Sequence, residues 1–385
     1  MIPALDLRAT QLPDDCADLR ADVRDFLREE LRSGRFTPSP DAWLTGWNPD
    51  FSRALADRGW IGLTVPREYG GRGATALQRY VVIEELLAAG APIAAHWFSD
   101  RQIAPALLNH GTEEQKNAYL PAIARGECFF ALGMSEPDAG SDLAAIRTRA
   151  ERTSEGWRLH GRKIWTSGAH HANAILVLAR TAPVGDGPRH DGMSQFLCDL
   201  PADGAEISPI RLMSGAHHFN EVVFDGVELP EAALLGAEGR GWAQVTAELA
   251  YERSGPERIL STFPLMAELA RNRDGLAVGE AERGLLGELS ARVWALRQLS
   301  LGVAGALSRG DRPDSAAALV KDLGTTFEQD VVESVLQVVE PEALSSDSEL
   351  RTMLVHAVLQ SPGFTLRGGT NEILRGVVAR ALGMR

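Results

Sequence analysis

The sequence predicts an α+β protein in which a small antiparallel β domain separates two helical regions, and three observations predict it. Apolar residues recur at helical spacing up to about residue 127 and again beyond Gly241, and short β-type runs parted by turn residues fill the stretch between. A length of 385 residues also suits two or three domains. The apolar fraction of 44% and charged fraction of 24% are those of a folded globular chain rather than a disordered one. The expected domains are 1–127 (helical), 128–232 (β) and 233–385 (helical).

In chain order, Asp15–Leu31 carries Leu19, Val23, Phe26 and Leu27 on one helical face. A Gly/Pro-marked turn follows at Val65–Gly73, after which Thr75 can cap a helix through Val81, Val82, Ile83, Leu86 and Leu87. A further helix is expected over Asn117–Ala124. Strands are expected at Phe129–Met134, Trp157–Ile164, Ile175–Ala179, Gln195–Asp199 and Glu221–Val227, with Thr181–Gly192 as an exposed hairpin loop. Helices then return at Trp242–Arg253, Glu280–Leu301, Asp314–Val339 and Thr370–Leu382.

Charge and cysteine usage narrow the function. Thirty-nine basic against fifty-two acidic residues give a net charge of −13 with no Lys/Arg-rich run, which argues against nucleic acid and anionic membranes as partners. The longest apolar stretch, Leu86 to Phe98, is broken by His96 and falls short of the ~20 residues of a spanning helix. The first residues, MIPALDLRAT, lack the basic and apolar regions of a signal peptide, and Cys16, Cys128 and Cys198 form no CxxC, so a reduced, cytoplasmic protein is expected. His170-His171 and His217-His218 are adjacent pairs that cannot share one face, and no HExxH occurs, so no metal site is expected.

Five segments stand out. Gly236-Ala-Glu-Gly-Arg-Gly-Trp242 has GxxGxG spacing and reads as a turn before a helix rather than a dinucleotide loop. Ala131–Asp142 leaves a strand for a loop dense in Pro, Gly, Ser and Asp; it is a well-made turn, or a source of exposed N–H groups for a polar ring edge or phosphate. Lys163-Ile-Trp-Thr-Ser-Gly168 sets an indole beside two hydroxyls, although Trp165 by itself reads as core. Arg367-Gly-Gly-Thr-Asn-Glu-Ile-Leu-Arg375 reads as a capped helix start, whose free N–H groups also suit an anion. In Tyr251-Glu-Arg-Ser-Gly-Pro-Glu257 the helical Glu-Arg reads as a solvated pair, and Pro256 should kink the helix by denying a donor to the Glu252 carbonyl.

Taken together and in order, these pieces resemble the acyl-CoA dehydrogenase family. Trp60-Ile-Gly-Leu-Thr-Val-Pro-Arg-Glu-Tyr-Gly-Gly-Arg-Gly73 is similar to its N-terminal signature, Met134-Ser-Glu-Pro-Asp-Ala-Gly-Ser-Asp142 to its central one and Gly368-Gly-Thr-Asn-Glu-Ile373 to its C-terminal one. Lys163–Gly168 and His218-Phe-Asn-Glu-Val-Val-Phe-Asp225 fit between them, so the resemblance spans nearly the whole chain. It implies an N-terminal helical domain, a central antiparallel β-barrel-like domain and a C-terminal four-helix bundle. It also implies FAD as cofactor, an acyl-CoA substrate dehydrogenated to the trans-2-enoyl thioester, and an electron-transfer flavoprotein as acceptor.

Residue by residue, the resemblance places Leu132, Met134 and Ser135 against the isoalloxazine ring, with Trp165 and Ser167 as the wall beside it. Ser141 falls where the family touches the CoA arm, and Thr370 and Glu372 where it meets the FAD pyrophosphate and adenosine side. The commonest position of the base, a Glu just before Gly-Thr, is here Gly368. A minority resembling isovaleryl- and long-chain enzymes carries that Glu directly before an Arg on an earlier helix, and Glu252-Arg253 matches it. Glu252 is therefore the expected base, Arg253 a substrate-binding residue, and the Gly368 backbone N–H the donor to the thioester carbonyl.

Two departures concern the adenosine end. Arg271–Ser290 contains no Phe-Gly, and Gln337 is followed by Val-Val-Glu-Pro-Glu342 rather than a Gly-Gly turn. A homodimer, a homotetramer and a hetero-oligomer with a second dehydrogenase-like chain all stay open. So do a catalytically silent, partner-dependent subunit, and a dehydrogenase that uses a carrier-protein thioester or is re-oxidised by oxygen. His96, Trp97 and Phe98 hint at a shortened pocket floor that favours short or branched acyl groups.

Overall fold

The computed structural model describes residues 7–253, 255–271, 280–339 and 348–384, with the side chains of 248–252 and 280–282 outside that description. The chain divides into two compact units, each assembled from separated stretches. Met1–Gly46, Thr75–Ile93 and Ala250–Arg385 form a helical unit, and Trp47–Ala74 with Ala94–Leu249 form a unit built around a sheet.

The sheet has eight strands: β1 (Phe130–Gly133), β2 (Arg149–Arg152), β3 (Gly156–Ser167), β4 (Ala174–Arg180), β5 (Met193–Asp199), β6 (Ala205–Arg211), β7 (His217–Pro230) and β8 (Leu234–Leu235). Their order is β6-β7-β3-β2-β4-β5-β8, with β1 pairing alongside β4. All seven residues of β4 are buried, and accordingly its sequence is a near-continuous apolar run rather than an alternation. Most pairs are antiparallel as expected, but β1 and β2 both run parallel to β4. Parallel pairing needs a crossover, and the chain between β1 and β4 supplies one containing β2 and β3. Strands β2 and β6 escape the pattern because nearly all their side chains are exposed or half-buried, while β8 is only two residues long. Trp157, Leu159, Phe196, Val222 and Phe224 form the centre of the core, with the Trp157 and Phe196 rings edge to face at 5.1 Å. The Thr181–Gly192 segment is the predominantly exposed connection between β4 and β5.

Helix Glu113–Ala124 begins four residues ahead of its expected start because Thr112 and Gln115 form a reciprocal capping box there. The amide of that same Gln115 donates to the carbonyls of Ala232 and Leu234 at 2.8 and 2.9 Å, so the cap also ties the helix to the end of the sheet.

In the helical unit, Asp314–Val338 packs against Glu280–Ser308, Glu349–Phe364 and Asn371–Ala381. Thr75 and Gln78 form the capping box of helix Ala76–Ala88, confirming the expected cap. Its buried Glu84 and Glu85 pair with Arg20 of helix Asp15–Arg32, and Glu84 also with Arg297. Helices Phe263–Arg271 and Glu349–Phe364 were not expected; the second is capped by Ser348 and carries Pro362 in its last turn. The kink expected at Pro256 is also corrected. The α-helix Gly241–Arg253 has ended by then, and Pro256 instead opens a buried 3-10 turn over Pro256–Arg258, where its missing N–H costs nothing. Helix Asp314–Val338 accommodates that turn through Gly324, where a Cβ would sit 2.1 Å from the Arg258 carbonyl oxygen. Among the described residues no helix is long and apolar enough to cross a membrane.

Candidate active site

Strand β1 carries half-buried Leu132 and releases the chain into the loop of Met134 and Ser135. Glu136 and Ala139 close a tight turn by exchanging two backbone hydrogen bonds of 3.0 Å. The Glu136 side chain turns inward, accepting the N–H groups of Arg147 and Thr148 at 2.7 and 2.9 Å. It also meets the ammonium of fully buried Lys163 at 2.9 Å, which in turn donates to the Met134 carbonyl at 3.0 Å. With the Ile164 N–H donating to the Ser135 carbonyl at 2.9 Å, the loop is fastened to β3 along its length. Burial alone would raise the Glu136 carboxyl, yet the Lys163 charge and the N–H donors hold it below the usual carboxylate value. Burial pulls Lys163 down to about 8 against the attraction of Glu136, so the pair is charged at neutral pH.

Immediately after Lys163 the pairing of β3 with β7 slips. Lys163 faces Val222 and Thr166 faces Asn220, leaving two residues of β3 opposite the single residue Glu221. Trp165 sits in this bulge at φ 59°, a left-handed conformation that bulky side chains avoid at a cost of about 1–3 kcal/mol. The result corrects the reading of Trp165 as core: its indole is 54% exposed and stands edge-on to Phe219 at 5.7 Å. Ser167 is half-buried at the end of β3. Ser141 is exposed farther along the loop from β1, beside Asp142, which pairs with Arg189 at 3.0 Å.

The second group of candidates lies in the helical unit. Thr370 caps helix Asn371–Ala381 by accepting the Ile373 N–H, and exposed Glu372 occupies its first turn. Hydrogen bonding at this helix start, from the backbone N–H of Glu372 and then from Thr370, holds the Glu372 carboxyl below its usual value. Gly368 and Gly369 both have positive φ, 67° and 87°, which explains two consecutive glycines before the cap. The Arg253 guanidinium donates to the Gly368 carbonyl at 3.3 Å, and among the described residues no backbone carbonyl receives the Gly368 N–H. Glu252 lies in the last turn of helix Gly241–Arg253, and its side chain falls outside the described residues. The two adenosine-side departures fall partly on 272–279 and 340–347, which are also outside them.

One cluster went unseen in the sequence. His170 and His171 occupy a 3-10 turn after β3, and β7 delivers His217 to them, so that the His170 ring stacks on His217 at 3.8 Å and lies 3.9 Å from His171. Asn220 bridges His170 and His217 at 3.0 and 2.7 Å. Burial, reinforced by its two histidine neighbours, lowers His170 to about 4. Gly236–Trp242 is the expected turn before a helix, with the Gly239 N–H donating to Ser194 at 2.9 Å.

The chain matches three consecutive parts of one family: the acyl-CoA dehydrogenase N-terminal domain over residues 13–127, the middle domain over 131–227 and the C-terminal domain over 239–383. It is also 31% identical over 380 residues to the acyl-CoA dehydrogenase FadE29 of Mycobacterium tuberculosis, covering 94% of each chain. The chain belongs to the acyl-CoA dehydrogenase family. That family consists of flavoprotein oxidoreductases that use FAD, and the order of a helical, a β and a helical domain is its architecture. Acyl-CoA dehydrogenase FadE34 of the same organism is 35% identical over 332 residues, which cover 86% of this chain but only 45% of FadE34. The chain thus spans about half the length of that relative. Among solved structures, a steroid acyl-CoA dehydrogenase named Tcur3481-Tcur3483 superposes with a TM-score of 0.85 at 29% identity, covering 99% of both chains. The ChsE4-ChsE5 complex of Mycobacterium tuberculosis gives 0.83 at 27% identity, covering 98% of this chain and 99% of that one.

Proposed function

We propose that this chain dehydrogenates an acyl-CoA thioester to the trans-2-enoyl-CoA with FAD as oxidant and Glu252 as the base that removes the α-proton. The observation that carries the reading is Trp165, a bulky residue held at φ 59° so that its indole faces outward beside a loop stapled to the same strand. Strain of this kind persists where the surroundings enforce it, and a flat aromatic ligand gives the exposed ring a purpose. Within the sheet-built unit the exposed indole and the stapled loop suit a flavin: Leu132, Met134 and Ser135 would meet the ring edge and Trp165 and Ser167 its face, while the helix start at Thr370 and Glu372 in the helical unit would take the pyrophosphate and adenosine side. Bound there, FAD would supply the hydride acceptor at N5.

The remaining steps belong to the protein. The Gly368 N–H would donate to the thioester carbonyl, stabilising the negative charge that grows on oxygen as the α-carbon loses its proton; such a donor is worth roughly 10²–10³ in rate. Glu252 would take that proton, and Gly368 would add no side chain to compete with its carboxylate. Arg253 and Ser141 would hold the thioester and CoA arm. Electrons would leave to an electron-transfer flavoprotein.

The test is the visible spectrum of the FAD-loaded protein under anaerobic titration with thioesters. The panel should include short branched acyl-CoAs, which bulky His96 and Trp97 would favour as a pocket floor, and ring-bearing ones, because the similar Tcur3481-Tcur3483 structure is that of a steroid enzyme. Carrier-bound thioesters belong beside the free CoA forms. Bleaching by one class supports the reading, and a flavin that none of them reduces refutes it. Glu252→Gln should keep the flavin and slow reduction at least ~100-fold, the low end for a positioned base; an undiminished rate would move the base elsewhere.

A second reading, a hetero-oligomer with another dehydrogenase-like chain, draws on the paired names of the two similar structures. Solution mass of the chain alone and co-expressed with a dehydrogenase-like partner separates the two assemblies.

A further inference from the structure

Helix Asp314–Val338 buries Ala317, Gly324, Val331 and Val335 along one stripe, and Lys321 and Glu328 lie on that same stripe with no exposed surface. Burying a charge costs several kcal/mol unless it is paired and hydrogen-bonded, so the partners of these two residues are informative. Both serve one loop. The Lys321 ammonium donates to the Thr365 carbonyl at 3.0 Å, the Gly369 carbonyl at 2.8 Å and the Asn371 side chain at 2.7 Å, gripping the loop at its beginning and end.

Glu328 holds the other side. One of its oxygens accepts the Ser261 N–H at 2.7 Å, and the other lies 3.9 Å from the Arg367 guanidinium. Arg367 donates to buried Asp41 at 2.6 Å and to the Ser261 hydroxyl at 3.2 Å. Its flat face covers the Trp43 indole at 4.5 Å and the Phe364 ring at 5.0 Å. Arg367 is therefore fixed in position and orientation by a fork of hydrogen bonds, charge and stacking together.

Arg367 immediately precedes Gly368, and Lys321 takes the carbonyl of Gly369 immediately after it. The Gly368 N–H belongs to the peptide joining Arg367 to Gly368, which two consecutive glycines would otherwise leave free to turn, and fixing each residue costs about 1–2 kcal/mol of conformational entropy. We propose that Arg367, seated on Asp41 and Glu328, and Lys321 are positioning residues that aim the Gly368 N–H at the substrate's thioester carbonyl. The inference rests on the function proposed above. Neither cation touches the reacting atoms; each acts through the backbone it holds.

The test uses the FAD-loaded full chain and the thioester that best reduces it, with the variants Arg367→Lys, Arg367→Met and Glu328→Gln. Two readouts separate positioning from mere support: the division of the effect between kcat and KM, and the infrared carbonyl frequency of bound enoyl-CoA product, which falls when a donor polarises it. Arg367→Met should lower kcat by about 10²-fold with KM changed less than about threefold, since a misaimed donor is lost chiefly in the transition state. Arg367→Lys, which keeps the charge without the fork, and Glu328→Gln, compared with wild type at pH 8 where the carboxyl is ionised, should each lose about tenfold. In all three the carbonyl band should move back toward that of the free thioester. If Arg367→Met fails to fold, the two conservative variants decide. A wild-type band shift that survives in Arg367→Lys and Glu328→Gln along with kcat overturns the positioning role alone. A wild-type protein that shifts no thioester carbonyl removes the functional reading and this inference with it.

Discussion

Removing the Lys163 ammonium is the sharpest perturbation of the candidate residues in the sheet-built unit. Lys163 is fully buried, and its nitrogen meets the Glu136 carboxylate at 2.9 Å and the Met134 carbonyl at 3.0 Å. In Lys163→Met the carboxylate keeps only the N–H groups of Arg147 and Thr148 among these partners, while the Met134 carbonyl loses its donor. Breaking a buried pair from one side costs about 3–5 kcal/mol, and the two surviving donors place this case near the lower end, about 3 kcal/mol. Neutralising the partner as well removes the stranded charge. The double variant Lys163→Met/Glu136→Gln should therefore be more stable than the sum of its single changes implies, by a coupling of at least about 1.5 kcal/mol. Denaturant unfolding of the four proteins in one buffer, followed by tryptophan fluorescence, measures that coupling. Effects that add within about 0.5 kcal/mol would show that ammonium and carboxylate do not act as a pair. The same cycle reports on function, because the loop that Lys163 fastens carries Met134 and Ser135. FAD affinity should fall at least tenfold in Lys163→Met, and unchanged affinity would mean that the staple has no part in the cofactor site.

Two further outcomes follow from single residues. Burial lifts the Glu328 carboxyl to about 7 in the folded chain, against the opposing charge of Arg367, whereas the ordinary value is 4.5. A folded value above the unfolded one means stability that is complete below the ordinary value and is lost as pH rises through about 7. With ~1.4 kcal/mol per unit, the loss is on the order of 3 kcal/mol. Glu328→Gln should lack that loss, so unfolding free energies at pH 5 and pH 8 should diverge between the two proteins, and parallel profiles would contradict the assignment. At the bulge, Trp165→Gly should relieve the positive φ and stabilise the apoprotein by about 1 kcal/mol while weakening FAD binding at least tenfold. A destabilised apoprotein in thermal unfolding would show that packing of the indole outweighs the strain.

What the sequence disclosed, and what it withheld, follows from the range over which each feature is determined. The capping boxes at Thr75 and Thr112 are local, and the helix at Thr75 was legible because its signal lies within four residues. Six of the seven buried residues of β4, Ala174 to Ala179, announce themselves as an apolar run. Trp165 could not be read as outward-facing, because its orientation depends on a slip of pairing against β7, some sixty residues on. His170 and His217 meet for the same topological reason. The buried charges are different: their signal is local and lies in the sequence itself. Lys321 and Glu328 sit three or four residues from Ala317, Gly324 and Val331 on the inward stripe, where a solvated charge has no place, and a helical wheel would have marked both for a partner.

Glycine at 368 acts in two opposite directions, and the balance can be tested. It offers no acid and gives the loop extra freedom, yet it permits a left-handed backbone that a side chain would resist. Its φ of 67° is followed by 87° at Gly369, and with Arg367 anchored on Asp41 and the Gly369 carbonyl held by Lys321, the turn has little latitude to relax. A non-glycine residue in such a conformation costs about 1–2 kcal/mol. Placing an acid there, as Gly368→Glu in the Glu252→Gln background, should therefore destabilise the protein by about that amount. It should also leave turnover at least tenfold below wild type, because a turn that yields to the new side chain also turns its own N–H away. Anaerobic reduction rates and melting curves of the double variant check both. Full recovery of rate at unchanged stability would mean that the turn is soft, that its buried clamps do not set its geometry, and that glycine is present only to make room.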